Sequence, residues 1–341
     1  MSDTIFSRAV RGEPTPRRPL WIMRQAGRYL PEYRALRARH EFKEMAASPE
    51  LAAEVTLMPL RRFPLDAAIV FADIMSPLPA LGVEFDFDPG PIVAEPIRDE
   101  RGLERLRDPA PEEIAPEVVR TLELVRAELP EHVALLGFCG APWTLAAYLV
   151  EGRGAKDFPT LRAFAAARPD LLDRLLGRLS SLMADYVVRQ ASAGADAVQI
   201  FDSWAGVLSL DDWSRLIRPH LESLLGAIGA AGVPRILFVQ NAPHLVDAYA
   251  RLPAEVLAVD WRIDLGELRA RYPGRSVQGN IDPAVLVAGP DPTRAAAARL
   301  LGAVDRLGHV VNLGHGILPS TPLESVAALI EAVHGETGKG V

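Results

Sequence analysis

Short runs rich in consecutive apolar residues recur seven times along the chain, and longer stretches with helical patterning lie between them. The runs are 67–71 (AAIVF), 133–138 (VALLGF), 197–201 (AVQIF), 235–239 (RILFV), 256–259 (VLAV), 276–279 (SVQG) and 309–313 (HVVNL). A strand that faces water on one side alternates apolar and polar residues; runs without alternation belong to strands buried on both faces, as in parallel sheets covered by helices. Helix starts punctuate the gaps. Ser48-Pro49-Glu50 combines an N-cap, a first-turn proline and an early acid, and Thr321-Pro322-Leu323-Glu324 reads as a capping box. Residues 161–190 and 211–231 supply long amphipathic stretches.

Repeated strand–helix order without a linker-like break predicts an α/β protein: a single (β/α)8 TIM-type barrel over 1–341, with an irregular N-terminal segment. Residues 1–18 are expected to form a flexible arm ahead of the barrel, and an eighth strand is sought near 20–23. A doubly wound open sheet is the competing arrangement, but no G-x-G-x-x-G follows the first run, which weakens a dinucleotide-binding reading.

The segment 133–150, VALLGFCGAPWTLAAYLV, carries no charge and nearly matches a membrane span in length. Gly137, Gly140 and Pro142 interrupt it, so strand, tight turn and helix start is the expected reading. The first residues lack an apolar signal-peptide core, and a lone cysteine, Cys139, permits no internal disulfide. A cytoplasmic protein without membrane contact is expected.

The stretch WIMRQAGRYLP at 21–31 places Arg24 and Arg28 four residues apart in a chain of net charge −7. Of 37 basic residues 34 are arginines, so a single one says little; density says more, because residues 17–39 hold seven with one acid, Glu32. A local excess on an acidic chain points to a small anionic ligand rather than to nucleic acid. Arg24 and Arg28 share a face if the stretch is helical; otherwise a loop around Gly27 must arrange them. Arg17 and Arg18 read as exposed solubilising charges, with a place in a lid as the other option.

Polar residues gather just after the apolar runs, where a barrel places its active site. They include Asp73, Tyr148, Asp202, Ser203 and His315, the last between two glycines. Each has an ordinary explanation taken alone: a helix cap for Asp73, turn bonding for Ser203, core packing for Tyr148. Known catalytic patterns fit poorly. There is no G-x-S-x-G, H-E-x-x-H or Walker loop, and Cys139 sits among apolar neighbours that do not favour a thiolate. Asp73 paired with Asp202 or Asp260 would suit glycoside hydrolysis but leaves the arginines unexplained.

Taken in order, MRQAGRYLPEYR, FADI, GFCGAPWTLAAYLVEG, FDSWAG and NLGHGI span nearly the whole chain and resemble the uroporphyrinogen decarboxylase family. The resemblance implies a homodimeric (β/α)8 barrel that removes the carboxyl groups from four acetate side chains of a tetrapyrrole, with neither metal nor organic cofactor. It implies carboxylate-binding roles for Arg24 and Arg28 with Gln25 between them, and pyrrole N–H binding by Asp73. Contacts with acetates and propionates fall to Tyr148, Ser203 and His315, and apolar cleft walls to Phe71 and Phe201. Asp73 and Arg24 are the residues expected at the reacting centre. The proton donor stays open among Asp73, Tyr148, His315 and water.

Two other functions follow from related features. Zinc-dependent methyl transfer in the same superfamily needs thiolate or imidazole ligands, commonly His-x-Cys with a second Cys; here Gly137 stands two residues before the lone Cys139. A non-catalytic tetrapyrrole carrier would need the arginines and the central acid without turnover.

Overall fold

A computed structural model of the chain describes residues 3–88 and 90–335. All seven apolar runs are strands of one parallel sheet. In chain order β1 is Ala67–Ile69, and β2 (Phe85–Phe87) with β3 (Pro91–Val93) forms a separate antiparallel hairpin. The sheet continues through β4 (Ala134–Gly140), β5 (Ala197–Asp202), β6 (Arg235–Val239), β7 (Val256–Val259), β8 (Ser276–Ile281) and β9 (His309–Leu313). The sheet order, β1-β4-β5-β6-β7-β8-β9, follows the sequence and every pairing is parallel. The residues of β4, β7, β8 and β9 are buried throughout, which is why their sequences do not alternate. The uncharged 133–150 segment resolves into β4 and the Pro142–Glu151 helix, and no described helix is long and apolar enough to cross a membrane.

The sheet curls until its two edges meet one short stretch. Leu20 forms an isolated parallel bridge with Val311 of β9, and its carbonyl accepts the Asp66 amide just before β1 at 2.9 Å. Trp21, Met23 and Phe6 join Ala67, Leu136, Phe238 and Val310 in an apolar cluster within this curl.

The expected arm is packed rather than free. The Ile5–Val10 helix buries Phe6, Ala9 and Val10 in that cluster. Nor are Arg17 and Arg18 a lid or solubilising charges. Arg17 grips Asp66 through two 2.7 Å bonds, and Arg18, 4% exposed, donates to the carbonyls of Leu301 and Val304. Two helix expectations also change. Thr321 makes no cap; its hydroxyl is buried without a partner, and the Leu323–His334 helix starts from Pro322. The 161–190 stretch is two helices, Pro159–Ala167 and Pro169–Ser192, since Pro169 cannot continue the first. Ser48 does cap its helix, accepting the Leu51 amide.

The Arg17–Asp66 pair gives a stability test. Burial pushes the Asp66 carboxyl up, but nearby His334, Arg17 and the Leu20 amide outweigh it and hold the carboxyl below its ordinary value. Its contribution is complete above about pH 5 and fades as pH falls below about 4, since the unfolded chain then binds the proton first. Arg17→Ala leaves a buried carboxylate short of its partner and is expected to lower stability by about 2–3 kcal/mol at pH 7 in urea unfolding.

Candidate active site

The expected residues lie at the C-terminal ends of the strands, the side on which parallel barrels and sheets bind ligands. The stretch 21–30 is not helical; it is a loop, so the four-residue spacing of Arg24 and Arg28 does not come from a helix face. Arg24 has a positive φ of 62°, a conformation that costs a non-glycine residue about 1–2 kcal/mol. Neighbours hold it there. The Met23 amide donates to Asn312 Oδ1 at 2.9 Å, the Met23 carbonyl accepts the Ile317 amide at 2.9 Å, and the Ile22 carbonyl accepts the Gln25 amide at 2.8 Å. Gly27 and Gly316 make room. A Cβ on Gly27 would lie 2.9 Å from the Arg24 carbonyl, and one on Gly316 would lie 2.3 Å from Arg24 Cδ.

Gln25 departs from the expected carboxylate contact. It is fully buried, its side-chain oxygen accepts the Ile22 amide at 3.1 Å, and its nitrogen donates to the Ala67 carbonyl at 3.0 Å. It pins the loop to β1 instead of reaching the cleft. Of the seven clustered arginines, Arg17, Arg18, Arg34 and Arg37 are committed to protein acceptors, whereas Arg24 and Arg28 are not. Arg34 donates to the carbonyls of Arg28 and Tyr29, and so braces the loop from outside.

Arg24 and Arg28 make no side-chain hydrogen bond or salt bridge among the described residues. Arg24 keeps solvent access although protein crowds round it, and that crowding pulls its pKa down while Tyr148 and Asp73 partly restore it. Arg28 is close enough to add to the lowering. Asp73, half-buried, accepts the Met75 amide on Oδ1 at 2.8 Å, so the helix-cap explanation is half right: one oxygen serves a local turn. No described donor reaches Oδ2. Burial pushes the Asp73 carboxyl above its ordinary value, against the Met75 amide and Arg24.

Tyr148 is carried by the Pro142–Glu151 helix that follows β4, two turns from its start. Its hydroxyl pKa is raised, by burial first, with Trp204 and Arg24 opposing and Asp73 adding. The Trp204 ring stands edge-on to Tyr148 at 6.3 Å, and its indole N–H, though near, completes no hydrogen bond among the described residues. Ser203, half-buried beside Trp204, makes no hydrogen bond there either, so turn bonding does not account for it.

His315 follows β9. Burial, then Arg24, pull its imidazole down to about 4, with Arg262 adding and Asp260 opposing. It is therefore neutral at pH 7 and is no reservoir of protons there. Both flanking glycines are needed for contact, since a Cβ on Gly314 would lie 2.5 Å from the Trp261 amide nitrogen.

Aromatic rings form the apolar surfaces. Phe201 stands between Phe138 at 5.7 Å and Phe238 at 6.0 Å, and Phe238 meets the His315 ring at 6.4 Å. Phe71, just past β1, packs edge-on against Tyr33 and Phe42, and Phe42 continues the row to Phe87 in the β2–β3 hairpin. Asp202 and Asp260 do not join Asp73 as exposed carboxylates. Asp202 is fully buried, accepts the Thr144 hydroxyl at 2.8 Å and is pushed by burial to about 7. Asp260 is fully buried and bonded to the amides of Asn241 and Arg262. A paired-carboxylate hydrolase is not built here.

The structure thus brings Arg28, Asp73, Tyr148 and His315 each within electrostatic reach of Arg24, with Phe201 and Phe71 on apolar surfaces, and sets Gln25 beneath. Two supporting residues escaped sequence reading: Asn312 lies inside the NLGHGI motif, where His315 and its flanking glycines drew notice, and Arg262 was one arginine among 34.

Comparison with known proteins agrees. The family model described as uroporphyrinogen decarboxylase matches residues 1–336. Uroporphyrinogen decarboxylase from one strain of Thermus thermophilus is 45% identical over 334 residues, covering 97% of each chain. That of Geobacter metallireducens is 42% identical over 331 residues, covering 96% of this chain and 97% of its own. Among solved structures, a methyltransferase from Methanosarcina mazei superimposes with a TM-score of 0.80 over 97% of both chains at 22% identity, which shows a shared fold alone. No three His, Cys, Asp or Glu side chains among the described residues cluster as a metal site, and Cys139 is fully buried with its thiol pKa pushed up. The chain belongs to the uroporphyrinogen decarboxylase family.

Proposed function

We propose that the chain converts uroporphyrinogen III to coproporphyrinogen III in tetrapyrrole biosynthesis, each acetate arm losing CO2 and taking up one proton to become a methyl group. The observation that carries the reading is a carboxylate whose Oδ2 meets no donor among the described residues, Asp73, within reach of the uncommitted Arg24 guanidinium, with Arg28 close to Arg24 in turn. The substrate carries eight carboxylates and four pyrrole N–H groups. Arginine stays charged at any working pH and grips a carboxylate through two parallel hydrogen bonds.

Decarboxylation needs a sink for the electron pair of the breaking C–C bond. A pyrrole protonated on a ring carbon is such a sink: the electron pair moves into the ring cation as CO2 leaves. The exocyclic methylene so formed takes a proton to become the methyl, and the ring carbon gives its proton back. One proton is taken up in all, so the chemistry calls for no cofactor. In this scheme Asp73 accepts the inward-facing pyrrole N–H groups through Oδ2 and stabilises the ring cation as it forms, a charge fixed in place before the reaction. Arg24 and Arg28 hold carboxylates, Tyr148 and Ser203 donate from their hydroxyls, and neutral His315 takes part as a hydrogen-bonding ring. Phe71 and Phe201 face the apolar surface of the macrocycle. An oxidised porphyrin offers fewer N–H donors and is rejected on that ground.

The same reading treats the chain as one barrel domain. The Leu20 stretch, bonded to both sheet edges, supplies the eighth position of a (β/α)8 barrel. A homodimer and a cytoplasmic setting come with the family resemblance and the lone cysteine. Anaerobic incubation with uroporphyrinogen, followed by separation of products by carboxylate number, tests the function. The expected result is a series from eight to four carboxylates with CO2 released; binding without CO2 release would make the protein a carrier.

A further inference from the structure

Arg262 lies three residues beyond the end of β7, on the same side of the sheet as the candidate site. Its backbone amide donates to Asp260 Oδ1 at 2.9 Å, and its Nη1 donates to Asp260 Oδ2 at 3.3 Å. Asp260 is fully buried and also accepts the Asn241 amide at 2.6 Å, so it is a fixed anchor. The Arg262 guanidinium lies over the Trp261 ring, 4.2 Å from its centroid. Trp261 in turn has its amide seated against Gly314, the neighbour of His315. Arg262 is thus fixed by two partners but 42% of its side chain is exposed, and no described acceptor takes its Nε or Nη2. Its charge reaches His315, as does that of Arg24.

A surface arginine normally turns its fork to solvent or to a rim carboxylate at little gain. Here a buried aspartate and an indole face hold the guanidinium in one orientation and leave part of the fork unfilled. A held fork loses less freedom on binding a planar carboxylate than a mobile one. Asp260 cancels part of the charge, so the gain lies in directed hydrogen bonds more than in long-range attraction. We infer that Arg262 is a further carboxylate-binding residue, holding one carboxylate of the tetrapyrrole on the β7 side of the cleft. This rests on the function proposed above.

The test compares the parent enzyme with Arg262→Gln and Arg262→Lys in anaerobic turnover of uroporphyrinogen, with inhibition by coproporphyrinogen and thermal melting measured alongside. Arg262→Gln is expected to raise KM about tenfold with kcat within about twofold, the loss of one charge-assisted contact. Arg262→Lys, which keeps the charge without the fork, is expected to fall between. Weaker coproporphyrinogen inhibition in Arg262→Gln assigns the contact to a propionate, and unchanged inhibition assigns it to an acetate; either supports the inference. An active parent with KM unchanged in Arg262→Gln overturns it. So does a joint fall of kcat and melting temperature, which marks a purely structural role. A parent that fails to turn over uroporphyrinogen removes the functional reading and this assignment together.

Discussion

Asp73→Asn is expected to lower kcat/KM about a thousandfold while leaving the fold as stable as the parent or more so. The asparagine keeps an oxygen for the Met75 amide, so the turn after β1 survives. What disappears is the negative charge to which the proposed scheme assigns stabilisation of the protonated pyrrole. The stability half of the prediction follows from the raised pKa of Asp73. Between the ordinary carboxylate value and that raised one, the folded protein holds a proton that the unfolded chain has released. Stability therefore falls as pH rises through the folded value, and above it the buried charge is a standing cost. Asparagine removes that cost. Steady-state kinetics and melting at pH 7 give both numbers from one preparation. Near-normal turnover in a folded variant would take Asp73 out of the reacting centre. In the parent, the acid limb of kcat/KM should lie above the usual carboxylate range of about 4, because the carboxyl works as the anion.

Gly316→Ala is expected to be nearly as damaging without touching any charged group. The added methyl would lie 2.3 Å from Arg24 Cδ and 2.8 Å from its Cγ, the stem of the side chain rather than its mobile tip. Arg24 cannot yield easily, since its backbone is already at positive φ and the preceding Met23 is tied to Asn312 and Ile317. The guanidinium must move by an ångström or more. Displacements of that size cost about a hundredfold in kcat/KM when a carboxylate has to be held for reaction. Melting should change little, because Arg24 makes no hydrogen bond or salt bridge that folding depends on among the described residues. Loss of stability with activity per folded molecule preserved would show that Gly316 serves packing alone.

How much of this was legible in the sequence depended on how far apart the cooperating residues lie. The sheet was legible because its strands are largely buried on both faces and declare themselves within four to six residues. The β2–β3 hairpin was not, since Phe85–Phe87 and Pro91–Val93 are three residues each and largely half-exposed, too short for a pattern. Arg17 looked like a solubilising charge because its partner, Asp66, is 49 positions away. The four-residue step from Arg24 to Arg28 imitated a helix face, whereas the real constraint on that loop is the bond from Met23 to Asn312, 289 positions away. Motif resemblance found Arg24, Asp73, Tyr148 and His315, and the structure brings them together. The same resemblance put Gln25 among the ligands, where burial and two backbone bonds make it a brace. A motif names the residues a site depends on and does not separate those that touch ligand from those that hold the others in place.

The central claim is a division of labour, with arginines on the carboxylates and Asp73 on the ring N–H groups. A crystal structure of the protein with coproporphyrinogen bound under anaerobic conditions measures it most directly. The account predicts Asp73 Oδ2 within about 2.7–3.2 Å of two or more pyrrole nitrogens, and Arg24 or Arg28 paired with a propionate. A macrocycle seated away from Asp73, or held with both guanidiniums still facing solvent, would contradict it.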